Sequence, residues 1–203
     1  MAKSTNNDSG ASLSILMAGL SWPPETFLAR LIRGLGQAGV AVNVASAGKP
    51  DRDRLKQPGF QWLPTSSWRG PYLGRLGRLG WLAGRALSDH PRSVFRLIRR
   101  TDTAASWSSQ LQTWQRLLPF AGGQWDVIYF PWNSAAIDYL PLFDLGIPVV
   151  ISCRGSQVNI PPHNPHRTSL RDGLRTTFAQ AGAVHCVSEA IKQEAEQFGL
   201  DPT

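Results

Sequence analysis

The feature that most limits what this chain can fold into is a rhythm. Short apolar runs at residues 13–18, 40–45, 126–130, 148–152 and 183–187 alternate with longer stretches whose apolar residues recur at helical spacing. Runs of this length suit strands buried in a sheet, and a strand–helix alternation builds a parallel sheet with helical crossovers. The opening shows it best. Leu13 to Ala18 reads as a strand, and Gly19 and the Pro23–Pro24 pair as a loop. From Glu25 to Ala38, Phe27, Leu28, Leu31, Ile32 and Leu35 share a helical spacing, with Pro24 suited to the first turn and Gly39 to the end. Val40 to Ala45 is the second strand.

The rest repeats the pattern. Residues 47–58 read as a polar loop and Phe60 to Leu63 as a short strand. A helix is predicted around Ala135 to Leu145, ended by Gly146, and another runs to about Ala181 after a loop rich in proline and histidine. Ser188 is a good N-cap for a closing helix, with Glu189 in its first turn, where negative charge suits the helix dipole. Gly199 and Pro202 end it. The fold class is therefore α/β, a doubly wound, mostly parallel, Rossmann-like sheet. Such sheets bind ligands at the C-terminal ends of their strands.

One segment breaks the rhythm. Residues 71–118 lose strand character, and "LGRLGRLGWLAGR" (73–85) repeats every three residues instead of the helical 3.6. Its leucines are expected to drift around a helix, and its glycines to weaken one. The segment reads as a mobile, partly helical insertion at about 66–118. It also holds the charge: nine arginines against two aspartates, the whole of the +7 excess. A local basic patch points to an anionic partner. Trp62, Trp68 and Trp81 flank it, which fits peripheral contact with a membrane surface through residues 69–100. Nucleic acid would call for similar ingredients, but no nucleic-acid module accompanies them and none is expected as partner.

The 203 residues, 42% hydrophobic, suffice for one large domain or two small ones. Residues 1–11 read as a disordered tail. No apolar run reaches the roughly 18–20 residues of a membrane span. Two cysteines, Cys153 and Cys186, make no disulfide framework and point to a reducing compartment, so a cytoplasmic location is expected, with peripheral contact at the inner face of the membrane.

Chemistry concentrates at "ISCRGSQVN" (151–159), where an apolar strand leaves the sheet. Arg154 offers a forked donor for phosphate or carboxylate, and Gly155 admits close backbone approach. Against this stands a plain turn, with Arg154 paired to a surface carboxylate. The loop "AGLSWPPET" is neither a dinucleotide fingerprint nor a P-loop, though Gly19 and the following helix N-terminus could still approach a phosphate. His163 and His166 have H-x-x-H spacing, but no third ligand is evident and no metal is expected. His185 and Cys186 are adjacent on a strand, face opposite ways and read as core residues.

In this order the motifs resemble the N-terminal domain of family-four glycosyltransferases, retaining enzymes of the GT-B architecture. Four stretches carry the resemblance: Glu25 and "TFLARLIRGLGQAGVAVNVAS"; "WDVIYFPWNSAAIDYLPLFDLGIPVVIS"; "CRGSQV"; and "AGAVHCVSEAIKQEAEQFGLDPT". The first departs from the family's G-G-x-E loop, since Trp22, Pro23 and Pro24 replace the glycines. Arg154 stands where many members have His, and Gln157 where others have Asp.

The resemblance implies transfer of a sugar from a nucleotide-sugar to a glycan or lipid-linked acceptor, with retention and no cofactor. It gives Arg154 the catalytic position and makes Gly19, Glu25, Gly155, Ser156, Ser188 and Glu189 substrate-binding. Glu25 would orient the first loop, and Ser188 with Glu189 would line an interdomain cleft. It places 12–203 as the acceptor-side domain, with the donor-binding domain and its E-x7-E motif absent from the chain, so that the chain alone is expected to be inactive. The other reading is a non-catalytic α/β module that binds an anionic glycan or membrane surface.

Overall fold

The computed structural model describes residues 13–65, 72–99, 106–155, 158 and 161–202. Six strands form one parallel sheet: β1 (Ser14–Met17), β2 (Ala41–Ser46), β3 (Phe60–Pro64), β4 (Val127–Phe130), β5 (Val149–Cys153) and β6 (Ala183–Cys186), in the order β3-β2-β1-β4-β5-β6. The sheet runs outward from β1 to β3 and then resumes on the other side of β1 with β4. The register is continuous, with Leu16 beside Asn43 and Ile128, and Cys153 beside Cys186. A crevice opens where the strand order reverses, beyond the carboxyl ends of β1 and β4.

Neighbouring strand residues face opposite ways, and this splits the core in two. Met17, Val42, Val44 and Phe60 pack with Ile32 of α1 (Thr26–Gln37). Leu16, Ala45, Ile128 and Ile151 lie in the larger core on the other face. Gly39, at φ +82, closes α1, and the Val40 amide donates to the Leu35 carbonyl at 3.0 Å. The polar stretch after β2 holds one short helix, α2 (Arg52–Leu55), capped by the Asp51 carboxylate, which accepts from the Arg54 amide.

The described part of the arginine-rich segment, 72–99 and 106–118, is helical and packed rather than loose. It forms α3 (Tyr72–Asp89), α4 (Pro91–Arg99) and α5 (Trp107–Leu117), which roof the larger core. The period-three glycines conceal a true helical stripe. Leu79 and Ala86 are buried, and Leu76, Leu82 and Ala83 pack against the same core. Spacings of three and four, rather than three alone, decide which residues face inward. Val94 and Leu97 of α4 and Leu111 and Leu117 of α5 complete the roof.

After β4 the chain forms α6 (Asn133–Asp138) and then a 3₁₀ turn over Leu140–Leu145, where one continuous helix was expected. Pro141 cannot donate an amide to an α-helical ladder, and Gly146 at φ +79 ends the turn. Then come α7 (Thr168–Gln180) and α8 (Glu189–Glu196). His185 is exposed and is not the core residue that its strand suggests. It lies on the α1 side of the sheet, but α1 packs on β2 and β6 is the far edge, so among the described residues nothing covers it. Its Nδ1 lies 3.2 Å from the Ser152 hydroxyl. Cys186, on the opposite side, is half-buried against the core. Residues 1–12, where the tail was expected, lie outside the described residues. Among the described residues no helix is long and apolar enough to cross a membrane.

Candidate functional site

Arg154 is the first residue beyond β5 and leaves the sheet toward the first turn of α1. Its guanidinium carbon sits 4.0 Å from the centroid of the Phe27 ring, a close cation–π stack. The Phe27 ring meets Trp132 edge-on, with centroids 5.6 Å apart. Trp132 precedes α6 and follows β4 by two residues. Three strand exits therefore converge: α1 follows β1, Trp132 follows β4 and Arg154 follows β5.

Among the described residues the arginine has no anionic partner. Its Nε is buried without a hydrogen bond, and among the described residues no carboxylate pairs with it. Among the described residues the plain-turn alternative, in which a surface carboxylate holds Arg154, therefore finds no support. A guanidinium is fully charged at neutral pH, and a buried, unsatisfied donor costs about 1–3 kcal/mol. Asn133, next to Trp132, is fully buried, and neither its side-chain nitrogen nor its oxygen finds a partner among the described residues. Two orphaned polar groups thus lie at the exits of adjacent strands. A buried polar group without a partner calls for a reason, and a place for a polar ligand is one such reason.

The other expected residues take distinct places around this rim. Gly19 lies two residues beyond β1 at φ +74, and a Cβ there would lie 2.6 Å from the Ala135 Cβ. Its backbone is thereby pressed onto α6. Gly155 is open among the described residues: a Cβ would meet only the Ile191 Cδ1, at 4.0 Å. Glu25 occupies the N-cap position of α1, but it is exposed and its side chain makes no capping bond. Ser188 caps α8, its hydroxyl accepting from the Ile191 amide at 3.3 Å, and Glu189 follows in the first turn, exposed. Ser156 lies outside the described residues. The fold thus brings Arg154 to α1 and Gly155 to α8, whereas Gly19 tucks beneath α6 and Glu25 faces solvent.

Where the family's glycine loop would lie, Trp22 folds back over the sheet. Its ring packs on Phe60 at 5.8 Å, and its carbonyl sits 2.6 Å from where a Cβ on Gly48 would be. The same loop walls a cleft of about 470 Å³ with Ser21, Thr65, Gln112, Arg116 and Tyr139. Arg116 is engaged there: it pairs with the Asp138 carboxylate at 3.4 Å and lies over the Tyr139 ring at 5.8 Å. Burial raises the Tyr139 phenol above its ordinary pKa, with Arg116 opposing. A larger cavity of about 650 Å³ lies under α3 and takes in none of the residues at the Arg154 rim. Size alone favours the larger cavity, but topology and the orphaned polar groups favour the rim. His163 pairs with Glu194 and packs on Phe198, and among the described residues no cluster suited to a metal forms.

A family model for the glycosyl transferase 4-like domain matches residues 24–203. The chain belongs to the glycosyl transferase 4-like domain family. Membership and the parallel sheet together support an N-terminal GT-B domain and a general role in glycosyl transfer. No curated protein matches the chain significantly.

Within this glycosyl transferase 4-like domain, Phe27, Trp132 and Asn133 escaped the reading of the sequence. A signal existed. "PWN" (131–133) follows a buried strand as directly as "RGS" (154–156) follows the next, and the rule that singled out Arg154 applies equally to it.

Proposed function

We propose that the chain supplies the acceptor-side face of a glycosyltransferase that moves a sugar from a nucleotide-sugar to a glycan or lipid-linked acceptor with retention. Arg154 carries the reading. It is a permanent cation at a strand exit, oriented by Phe27 and lacking any carboxylate among the described residues. Such a group is suited to the negative charge that develops on a departing diphosphate, or to the hydroxyls of the sugar in flight. The open backbone at Gly155 gives a ligand room to approach. The cleft beside Trp22, on the same carboxyl side of the sheet, suits the acceptor. These assignments are supported by family membership and by the geometry of Arg154.

The test uses amide chemical shifts of the 203-residue chain titrated with uridine, guanosine and adenosine diphosphates. The reading expects at least one of them to shift signals of Phe27, Arg154 and Gly155, and Arg154→Ala to abolish the shifts. Shifts confined to the cavity under α3, or identical titrations of wild type and Arg154→Ala, would overturn it. Retention is tested separately, by the anomeric configuration of the product formed by the natural gene product.

A further inference from the structure

Two stretches of the roof share one spacing. In α3, "RLGWLAGR" runs from Arg78 through Trp81 to Arg85, and in α4, "RSVFRLIR" runs from Arg92 through Phe95 to Arg99. Each places an aromatic residue three after one arginine and four before the next. On a helix these are neighbours on one face, so each ring is bracketed by cations one turn above and below. The core takes the other side of both helices, through Leu79 and Ala86 in α3 and Val94 and Leu97 in α4.

The rings stand in solvent, Trp81 61% exposed and Phe95 68%. Leu87, Ile98 and Trp107 add further exposed apolar surface on α3, α4 and α5. Arg85 lies over the Trp81 ring at 5.7 Å, and among the described residues none of Arg78, Arg85, Arg92 and Arg99 pairs with a carboxylate. Arg96, outside the two triplets, is instead fixed to the Leu145 carbonyl at 3.2 Å. Over 72–99 the chain carries six arginines and a single carboxylate, Asp89. Trp62, which the sequence placed beside the patch, is half-buried, and its indole N–H donates to the Ser46 carbonyl at 3.2 Å. Trp68 lies outside the described residues.

We infer that the two arginine–aromatic–arginine triplets dock the protein on an anionic phospholipid surface. Aromatic rings enter the headgroup layer, and flanking arginines extend to the phosphates while their stems cover the apolar boundary. The positive charge of the patch selects anionic over zwitterionic lipid. RNA would use the cations and rings but has no use for the exposed Ile98, three residues on from Phe95, whereas a bilayer boundary takes up all of them. The inference goes beyond the assignment of Arg154 and involves no sugar, so each can fail without the other.

The test is co-sedimentation of the chain with vesicles of phosphatidylcholine, alone or mixed with phosphatidylglycerol. Binding is expected to the mixed vesicles, to fall with added salt, and to be negligible on phosphatidylcholine alone. Arg92→Gln is expected to weaken the partition about fivefold. Trp81→Ser with Phe95→Ser is expected to weaken it about tenfold or more with an unchanged melting temperature, since both rings are exposed. Brominated lipid is expected to quench wild-type tryptophan fluorescence more than that of Trp81→Phe. Any of four results would overturn the inference: no binding to mixed vesicles, equal binding to neutral ones, variants that bind like wild type, or a Phe95-dependent dimer or RNA complex in place of lipid binding.

Discussion

Arg154 and Phe27 are 127 positions apart in sequence, yet the guanidinium carbon rests 4.0 Å from the ring centroid. Phe27 lies in the first turn of the helix that follows β1, and Arg154 follows the last residue of β5. With its Nε buried and unpartnered, Arg154 adds little to stability. Arg154→Ala is therefore expected to change the unfolding free energy by less than about 1 kcal/mol while abolishing diphosphate binding. Chemical denaturation beside the titration checks both halves. Arg154→Lys is expected to bind weakly, because an ammonium lacks the planar fork.

Gly19 and Gly155 make a contrast of opposite sign. Gly19→Ala places a Cβ 2.6 Å from Ala135 at a left-handed φ and is expected to cost about 2–4 kcal/mol. Gly155→Ala brings a Cβ no closer than 4.0 Å to any described residue beyond its chain neighbours and is expected to cost under about 1 kcal/mol. Paired urea melts distinguish them. A binding defect in Gly155→Ala with an unchanged melt identifies backbone access to ligand as what was lost.

Leu97 tests whether the arginine-rich segment belongs to the core. It is 1% exposed and packs in the larger core. Leu97→Ala is expected to cost about 2–5 kcal/mol, the range for a buried leucine. A loss near zero in thermal unfolding would mean that α4 is an appendage.

Ser188 supports the start of α8 next to the rim. Ser188→Ala is expected to cost about 1 kcal/mol through loss of the cap to the Ile191 amide, and Ser188→Asp to retain it. Guanidinium denaturation of the three proteins gives the comparison.

The paired thiols predict a pH dependence. Burial first, and then the neighbouring Cys186, push the Cys153 thiol up from 9.0 to about 12. The Cys186 thiol is also raised, chiefly by burial. A thiol is uncharged when protonated, so between these values the folded state holds a proton that the unfolded state releases. The Cys153 contribution is therefore complete below about pH 9 and declines as pH rises toward 12. Unfolding free energies at successive pH values above 9 are expected to fall more steeply for wild type than for Cys153→Ala. At neutral pH, iodoacetamide is expected to label Cys153 only after unfolding.

Most of the sheet was legible because its strands are short apolar runs bounded by glycine and proline, and because helices such as α1 announce themselves by spacing and by Gly39. The arginine-rich roof was not, because glycine recurring every third residue imitates a pattern with no fixed face. Only the packing of the larger core shows that Leu76, Leu79, Ala83 and Ala86 form one. His185 was misread because local apolarity says nothing about which strand ends at an edge. At the site, Arg154 could be found from its place after a strand, but its partner Phe27 is a helix residue that looks like ordinary core.

The glycines of α3 bear on how its outer surface is held. A Cβ at Gly77, Gly80 or Gly84 would meet nothing within 4 Å, so these positions face outward with no packing reason to be bare. Each weakens the helix by about 1 kcal/mol relative to alanine. The local sequence around Trp81 therefore disfavours a helix, and packing on α4, α5 and the turn at Leu118–Phe120 imposes one. Trp81 stands on a surface whose shape is borrowed from α4, α5 and the Leu118–Phe120 turn, so loosening the core under it would unfold the outer face of α3 before any residue on that face had been changed.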